Sequence, residues 1–179
     1  MTFYEKYKGG QFSQNGEHGI ITEALNRISL TIGTAIEFGA PTQQYCSNIY
    51  ELPEGWRKLY YDIDPAPDQG ICKREITPEN VNDLPACFVI SMDTDGNDYA
   101  IWNAYEAKPD IVIIEINSSF RPGICLFSKE QGCSFSMMNV LAEEKGYFLL
   151  CHTGNCIYVL EKYRELFPDA DDTFKTDWL

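Results

Sequence analysis

The sequence predicts an α/β fold in which a mostly parallel sheet has helices on both faces. Along the 179 residues, short apolar segments alternate with segments of helical periodicity, the pattern of strands joined by crossover helices. Residues 111–116 (IVIIEI) are a β-branched run typical of a central parallel strand. Thr153 and Gly154 separate two apolar runs late in the chain, which predicts a hairpin that adds one antiparallel strand at the sheet edge.

The first half of the chain begins with an amphipathic helix. Within residues 14–32, apolar side chains recur at helical spacing from Ile20 to Ile28, and Gly33 stands where a helix stops. Thr77, followed by proline and glutamate, is typical of a helix start, here of a brief helix that ends near Pro85. The other elements predicted in this half are a buried strand at 35–39, a helix at 47–52, a strand at 59–63 and a short strand at 71–76.

The second half carries clearer boundaries. Gly146 follows the predicted helix at 134–145 as its expected C-cap. Residues 118–132 are expected to be irregular because they contain proline and glycines. The remaining predicted elements are strands at 88–92, 111–116, 147–152 and 155–160, and helices at 99–107 and 134–145. We therefore expect one domain over residues 1–167, followed by a loose acidic C-terminal tail at 168–179.

Charge and hydropathy exclude several functions. There are 14 Lys and Arg against 27 Asp and Glu, so the formal net charge is −13. This acidity argues against a broad phosphate-binding surface and hence against a nucleic-acid partner. The longest strongly apolar runs, at 111–114 and 147–151, are too short to cross a bilayer, and the first ten residues lack the apolar core of an export signal. We expect a small-molecule partner and no membrane partner.

The cysteines point to a reducing compartment. Their number is odd, seven, and no two stand in a CxxC pair. Buried reduced thiols are therefore the expected state, which implies a cytoplasmic location. Cys151, His152 and Cys156 lack the second pair of ligands that a zinc site needs. The loop that starts at Asp93 has Ala104 where a calcium loop has glutamate, so no metal site is expected.

Acidic residues follow the carboxyl ends of four predicted strands. Those ends lie along one edge of a parallel sheet, where ligands bind. We therefore expect the acids to surround a single crevice. A carboxylate at the end of the second strand is the one that holds ribose hydroxyls in nucleotide-binding βαβ units, and Asp62 is the candidate. The acids concerned are Glu37, Asp62, Asp64, Asp93, Asp95, Asp98 and Glu115.

Six segments carry, in order, a likeness to a known family. They are SQNGE at 13–17, IEFGA at 36–40, GWRKLYYDIDP at 55–65, SMDTDGNDYAIW at 91–102, KPDIVIIEIN at 108–117 and GCSFSMMNVLAEEKGYFLLCHTGNCIYV at 132–159. In this order they resemble the FkbM-type branch of class I S-adenosylmethionine-dependent methyltransferases, and the resemblance extends over roughly residues 12 to 165. DGNDY followed by the IEIN strand is the most specific part. The resemblance implies a Rossmann-like sheet with a C-terminal antiparallel hairpin.

The resemblance also implies a methyl donor, S-adenosyl-L-methionine, lying across the ends of the first, second and fourth strands. By position, Glu37 and Gly39 match the first donor-binding loop, Asp62 the ribose-binding acid, and Gln14 and Glu17 the N-terminal motif, while His18 stands where the family usually has aspartate. Asp93 and Asp95 match the acidic loop beside the methionine part of the donor and the acceptor. Asp93 is thus a candidate both for cofactor binding and, with Asp95, for catalysis.

The chain departs from the family pattern on the donor side. Where the family continues with Asp-Gly after EFGA, this chain reads Pro41, Thr42, Gln43 and Gln44. Glycine there allows close approach of a ligand to the backbone, whereas proline lacks an amide donor. The segment between the second and fourth strands, which forms the wall over the adenine, is also short.

Three functions remain open at this point. The first is an O-methyltransferase acting on a sugar or another small hydroxylated substrate, with Asp93 or Asp95 accepting the hydroxyl proton, Glu115 next in line and His152 a further option. The second is a catalytically inactive methyltransferase-like domain that serves as a binding or assembly module. The third is a nucleotide- or sugar-binding enzyme of another class that uses the same edge of the sheet.

Overall fold

The computed structural model describes residues 1–39 and 42–171 and has an α/β architecture. Ala40 and Pro41, which belong to the predicted donor loop, lie outside the described residues, as do residues 172–179 of the predicted tail. The main sheet consists of β1 (Thr34–Phe38), β2 (Arg57–Asp62), β3 (Cys72–Lys73), β4 (Val89–Met92), β5 (Ile111–Glu115), β8 (Tyr147–His152) and β9 (Asn155–Leu160), and a separate hairpin consists of β6 (Phe127–Ser128) and β7 (Gly132–Cys133).

The strand order of the main sheet is β3-β2-β1-β4-β5-β9-β8. β1 to β5 of this sheet pair in parallel, while β9 is antiparallel to both β5 and β8. The predicted C-terminal hairpin is confirmed. Its antiparallel strand is not at the edge, however, because β9 inserts beside β5 and leaves β8, which runs in the direction of β5, as the edge strand.

The described ranges also contain four α-helices and two 3-10 turns. The α-helices are α1 (Phe3–Tyr7), α2 (Glu17–Arg27), α3 (Asp98–Ala104) and α4 (Phe135–Lys145), and the 3-10 turns are at Val81–Asp83 and Glu161–Leu166. Alternate strand residues face opposite sides of a sheet. Accordingly Ile36 packs in one buried cluster with residues of α3 and α4, and Ala35 in a second cluster with residues of α1 and α2. Helices on both faces of a largely parallel sheet are confirmed.

Local signals account for the best-predicted elements. The Ser134 hydroxyl accepts a hydrogen bond from the backbone N–H of Met137 and begins α4, while Gly146 ends it at φ +83°. The hairpin turn has Gly154 at φ +123°. β8 and β9 therefore have the bounds that the sequence predicts.

Several predicted elements are shorter than expected or are missing. Residues 47–52 are not helical, because Ser47 and the backbone of Asn48 donate to the buried carboxylate of Glu37. The strand expected at 71–76 is reduced to the two residues of β3, and the helix expected after Thr77 is the 3-10 turn Val81–Asp83. At Thr77 the backbone N–H donates to the Asn80 side chain rather than starting an α-helix.

Three short elements were not predicted. They are α1, the β6–β7 hairpin at 127–133 and the 3-10 turn Glu161–Leu166. The first residues of the predicted tail are in contact with the domain. Asp169 pairs with Arg27, and the backbone of Asp171 donates to Leu150. All seven cysteines are described, and each is free. Within the described ranges no helix is long and apolar enough to cross a membrane.

Candidate functional site

Three acidic side chains meet at the carboxyl end of the sheet. β4 and β5 are parallel neighbours, and Met92 of β4 lies opposite Ile114 of β5. The residue that follows each of these two, Asp93 and Glu115, therefore lies beside the other. Asp95 joins them from the loop after β4. One carboxylate oxygen from each of the three lies within 4.8 Å of the others. We call Asp93, Asp95 and Glu115 the acidic cluster.

Burial and crowding make Asp93 and Glu115 hold protons more tightly than isolated carboxyl groups do. Burial, followed by the charges of Asp98 and Asp95, raises the pKa of Asp93. Burial and then the charge of Asp93 raise the pKa of Glu115. Carboxylates this close cannot all ionise cheaply, so the cluster can keep a proton where ordinary carboxyl groups have lost theirs.

The loop after β4 is shaped by Asp98. This buried side chain accepts hydrogen bonds from the backbone and hydroxyl of Thr94 at 2.9 and 3.0 Å, and from the backbone of Gly96 at 3.3 Å. Asp95 lies at the turn of this loop with φ +54°. Asp98 therefore fixes the loop from inside, and Asp95 is presented to the crevice.

The structure brings Asp62 to the same crevice. Asp62 ends β2, is 9% exposed, and accepts the backbone N–H of Asp64 at 2.7 Å. It lines a cavity of about 160 Å³ together with Gly39, Asp93 and Asp95, which we call the β2-side cavity. Four of the predicted site residues thus border one space.

Glu37 is buried and engaged by the protein itself. Its carboxylate accepts hydrogen bonds from the Ser47 hydroxyl and from the backbone N–H of Asn48, the latter at 2.8 Å. Burial raises its pKa to about 7. Glu37 borders a cavity of about 140 Å³ with Asn48 and Asp93, which we call the inner cavity, so its visible role is to anchor the loop at 47–48 beside the crevice.

Gly39 is required by the protein's own backbone. Its φ is +88°, and a Cβ at this position would overlap the carbonyl oxygen of Asp93. Only a residue without a side chain lets the backbone of Asp93, at the end of β4, lie this close. Gly39 also borders the β2-side and inner cavities.

The N-terminal candidates lie elsewhere on the edge. Glu17 is fully buried, and its carboxylate accepts from the backbone of Asn15 at 2.7 Å and from the Thr153 hydroxyl at 2.8 Å. It therefore joins the start of α2 to the tip of the β8–β9 hairpin. Gln14 is exposed in the loop before α2. Burial lowers the pKa of His18, one ring nitrogen of which lies 3.2 Å from the Thr22 hydroxyl.

Two larger cavities lie on the other side of the acidic cluster. The first, of about 290 Å³, is bordered by Asp95, Glu115 and Asn117 and is called here the acidic cavity. The second, of about 300 Å³, is bordered by Phe120, Phe135 and His152 and is called the apolar cavity. Burial lowers the pKa of His152, whose ring meets Phe135 edge-on at a centroid distance of 5.6 Å.

Two features of the site were missed at the sequence level. The acidic cluster could hold a divalent cation that prefers oxygen ligands, such as Mg²⁺ or Ca²⁺. The sequence places Asp93, Asp95 and Glu115 at one crevice, but their separation along the chain matches no spacing typical of metal ligands, so no metal site was expected there. The other missed feature is Asn48, which is 6% exposed and whose side-chain oxygen has no hydrogen-bond partner among the described residues. No local signal marks either feature.

Comparison with known proteins does not identify the chain. No model of a known protein family matches it, and a search of curated proteins found no match. The resemblance to FkbM-type methyltransferases therefore remains a prediction.

Proposed function

We propose that the protein is an S-adenosylmethionine-dependent O-methyltransferase acting on a small hydroxylated substrate such as a sugar. The observation that supports this proposal is the row of adjacent cavities along the carboxyl ends of the strands, two of which share Asp95. The β2-side cavity, with Gly39 and Asp62, lies on one side of the acidic cluster, and the acidic cavity lies on the other. Such an edge is where open α/β sheets bind their ligands.

The residues of the donor side fit the chemistry of this donor. Asp62 has one carboxylate oxygen bound to the Asp64 backbone, and its other oxygen can accept ribose hydroxyls. The unpartnered side-chain oxygen of Asn48 borders the inner cavity with Asp93. An amide oxygen and a carboxylate are suited to accept hydrogen bonds from the ammonium group of a bound amino acid.

The acidic cluster supplies the proton acceptor that such a reaction needs. When bound, the donor offers an electrophilic methyl carbon on a sulfonium sulfur. A donor held by Asp62 and Gly39 would supply this methyl group to the acceptor oxygen, and the electron pair of the broken carbon–sulfur bond would leave with sulfur. The hydroxyl proton passes to Asp93 or Asp95 and from there to water. Burial raises the pKa of Asp93, and the hydrogen bond with Glu115 partly opposes that rise. Aligning the two reactants accounts for most of the remaining work.

A second candidate, a non-catalytic binding or assembly module, is favoured by the small size of the donor side. The β2-side and inner cavities measure about 160 and 140 Å³, each below the roughly 300–1,000 Å³ of typical ligand sites. Glu37 is engaged by Ser47 and Asn48. The Asp-Gly pair that the family usually has after EFGA is absent, and this chain reads Pro41, Thr42, Gln43 and Gln44 there.

Calorimetric titration with S-adenosylmethionine and S-adenosylhomocysteine tests the proposal. Wild type should bind, and Asp62→Ala should weaken binding by about 1.5–3 kcal/mol, the range for hydrogen bonds to a charged group. Asp64→Ala is the matched control, because the Asp64 side chain is 87% exposed and pairs with Lys73. Thermal melts of each variant check folding. Absence of heat with wild type at millimolar ligand would favour the non-catalytic module.

A further inference from the structure

The apolar cavity is a second place where a small molecule can bind. Its volume of about 300 Å³ reaches the size of a small-molecule site. Ile116, Phe120, Pro122 and Phe135 give it apolar walls, and His152 is a polar group on its lining. Sites of this kind combine apolar walls with a few placed polar groups.

A cationic side chain borders this cavity. Arg121 is exposed, and among the ion pairs of the described residues none involves it. The chain as a whole has a net charge of −13, so a guanidinium at the border of an apolar cavity is a local exception. A guanidinium is suited to bind a carboxylate through two parallel hydrogen bonds.

The apolar cavity continues into the acidic cavity. Ile116 and Ser118 border both spaces, and Glu115 precedes Ile116 at the end of β5. A molecule whose apolar part lies against Phe120 and Phe135 can therefore extend a polar group toward the acidic cluster. The two cavities have opposite chemical character, and one bound molecule can use both.

We propose that the apolar cavity binds the body of the acceptor, and that this acceptor is an aryl or alkyl hydroxy acid rather than a bare sugar. The apolar body lies against Phe120 and Phe135, the carboxylate meets Arg121, and the hydroxyl points toward the acidic cluster. The term acceptor rests on the proposed methyl transfer. The proposal of a binding site depends only on the apolar lining of the cavity and on the charge of Arg121 at its border.

Binding of 3-(4-hydroxyphenyl)propionate, measured by calorimetry without any methyl donor, tests this inference. Two comparison ligands separate the contributions. Its neutral amide keeps the ring and lacks the charge, and glucuronate keeps the acid and the hydroxyls but lacks an apolar face. The hydroxyphenyl acid should bind about fivefold or more tighter than each, since one charge-assisted contact or one buried ring is worth about that factor. Equal or tighter binding of glucuronate would overturn the proposal.

Two variants locate the site. Ser119→Trp, at an exposed position on the cavity lining, should fill the cavity and weaken binding of the hydroxyphenyl acid at least about tenfold. Arg121→Gln should weaken the acid about fivefold and leave the amide unchanged. Arg57→Gln is the matched control. Arg57 is exposed at the amino end of β2, whereas the cavities lie at the carboxyl ends of the strands.

The possible results separate the two proposals. If Ser119→Trp has no effect, or if both arginine variants weaken the acid equally, the apolar cavity is not the site. If the methyl donor fails to bind while these results hold, the methyltransferase proposal fails and the hydroxy-acid site remains. Donor binding without any binding of the hydroxyphenyl acid overturns this inference alone.

Discussion

Replacing Glu37 by glutamine should remove a large part of the pH dependence of folding stability. Burial raises the pKa of Glu37 in the folded protein from 4.5 to about 7. Between these values the folded state keeps the proton that the unfolded chain has lost, so stability falls as the pH rises through this window and levels off above it. The shift corresponds to about 3 kcal/mol in total, of which about 2–3 kcal/mol falls between about pH 5 and pH 8.

Chemical denaturation at these two pH values measures the effect. Glutamine cannot ionise, and its amide can still accept from Asn48 or donate to the Ser47 hydroxyl. Relative to wild type, Glu37→Gln should therefore gain about 2–3 kcal/mol of unfolding free energy on going from about pH 5 to about pH 8. In thermal melts this is about 5–10 °C for a domain of this size.

A second variant separates Glu37 from general charge effects. Glu144 lies exposed on α4, and Glu144→Gln removes the same charge without removing a buried group. Its stability difference from wild type should be nearly the same at both pH values. If the two variants respond alike to pH, the stored proton is not at Glu37, and the reasoning from burial is wrong.

Two further substitutions test the packing of the crevice and of the C-terminal segment. Gly39→Ala should lose at least about 2 kcal/mol more unfolding free energy than Gly123→Ala, measured in denaturant melts. Both glycines have positive φ, but only a Cβ at Gly39 would meet a backbone carbonyl. Equal losses in the two variants would contradict the steric argument. Arg27→Lys should cost about 1–2 kcal/mol, because it loses the two-pronged contact with Asp169 at 2.5 and 3.1 Å. Lys6→Ala, which removes an exposed partner of the same carboxylate at 3.4 Å, should cost less than about 0.5 kcal/mol; the reverse order would contradict the assignment.

The predicted elements that agree with the structure are those whose signals are local. Ser134 and Gly146 fix the two ends of α4, and Gly154 fixes the last hairpin, whatever the rest of the chain does. The strands were found because β-branched and apolar runs such as IVIIEI need a buried sheet. By contrast, α1 has a local capping box of Thr2 and Glu5, but its five residues are too few to show helical periodicity, and Phe3 packs near Phe167, far away in the sequence.

The site was predicted in part for the same reason. Placing acids at strand ends correctly brought Asp62, Asp93 and Asp95 to one space, since parallel strands align their carboxyl ends. The engagement of Glu37 by Ser47 and Asn48 depends on tertiary packing. The same hydrogen bonds also explain why residues 47–52 did not form the expected helix.

Gly39 packs directly against the main chain of Asp93. This contact couples the segment after β1 to the loop after β4, which border the same cavities. A molecule that displaces Gly39 toward the end of β4 must also displace the backbone of Asp93, where the acidic loop begins. The shape of the β2-side cavity and the position of the Asp93 carboxylate are therefore coupled. We expect a substitution that reshapes one of them to require a second substitution in the other segment.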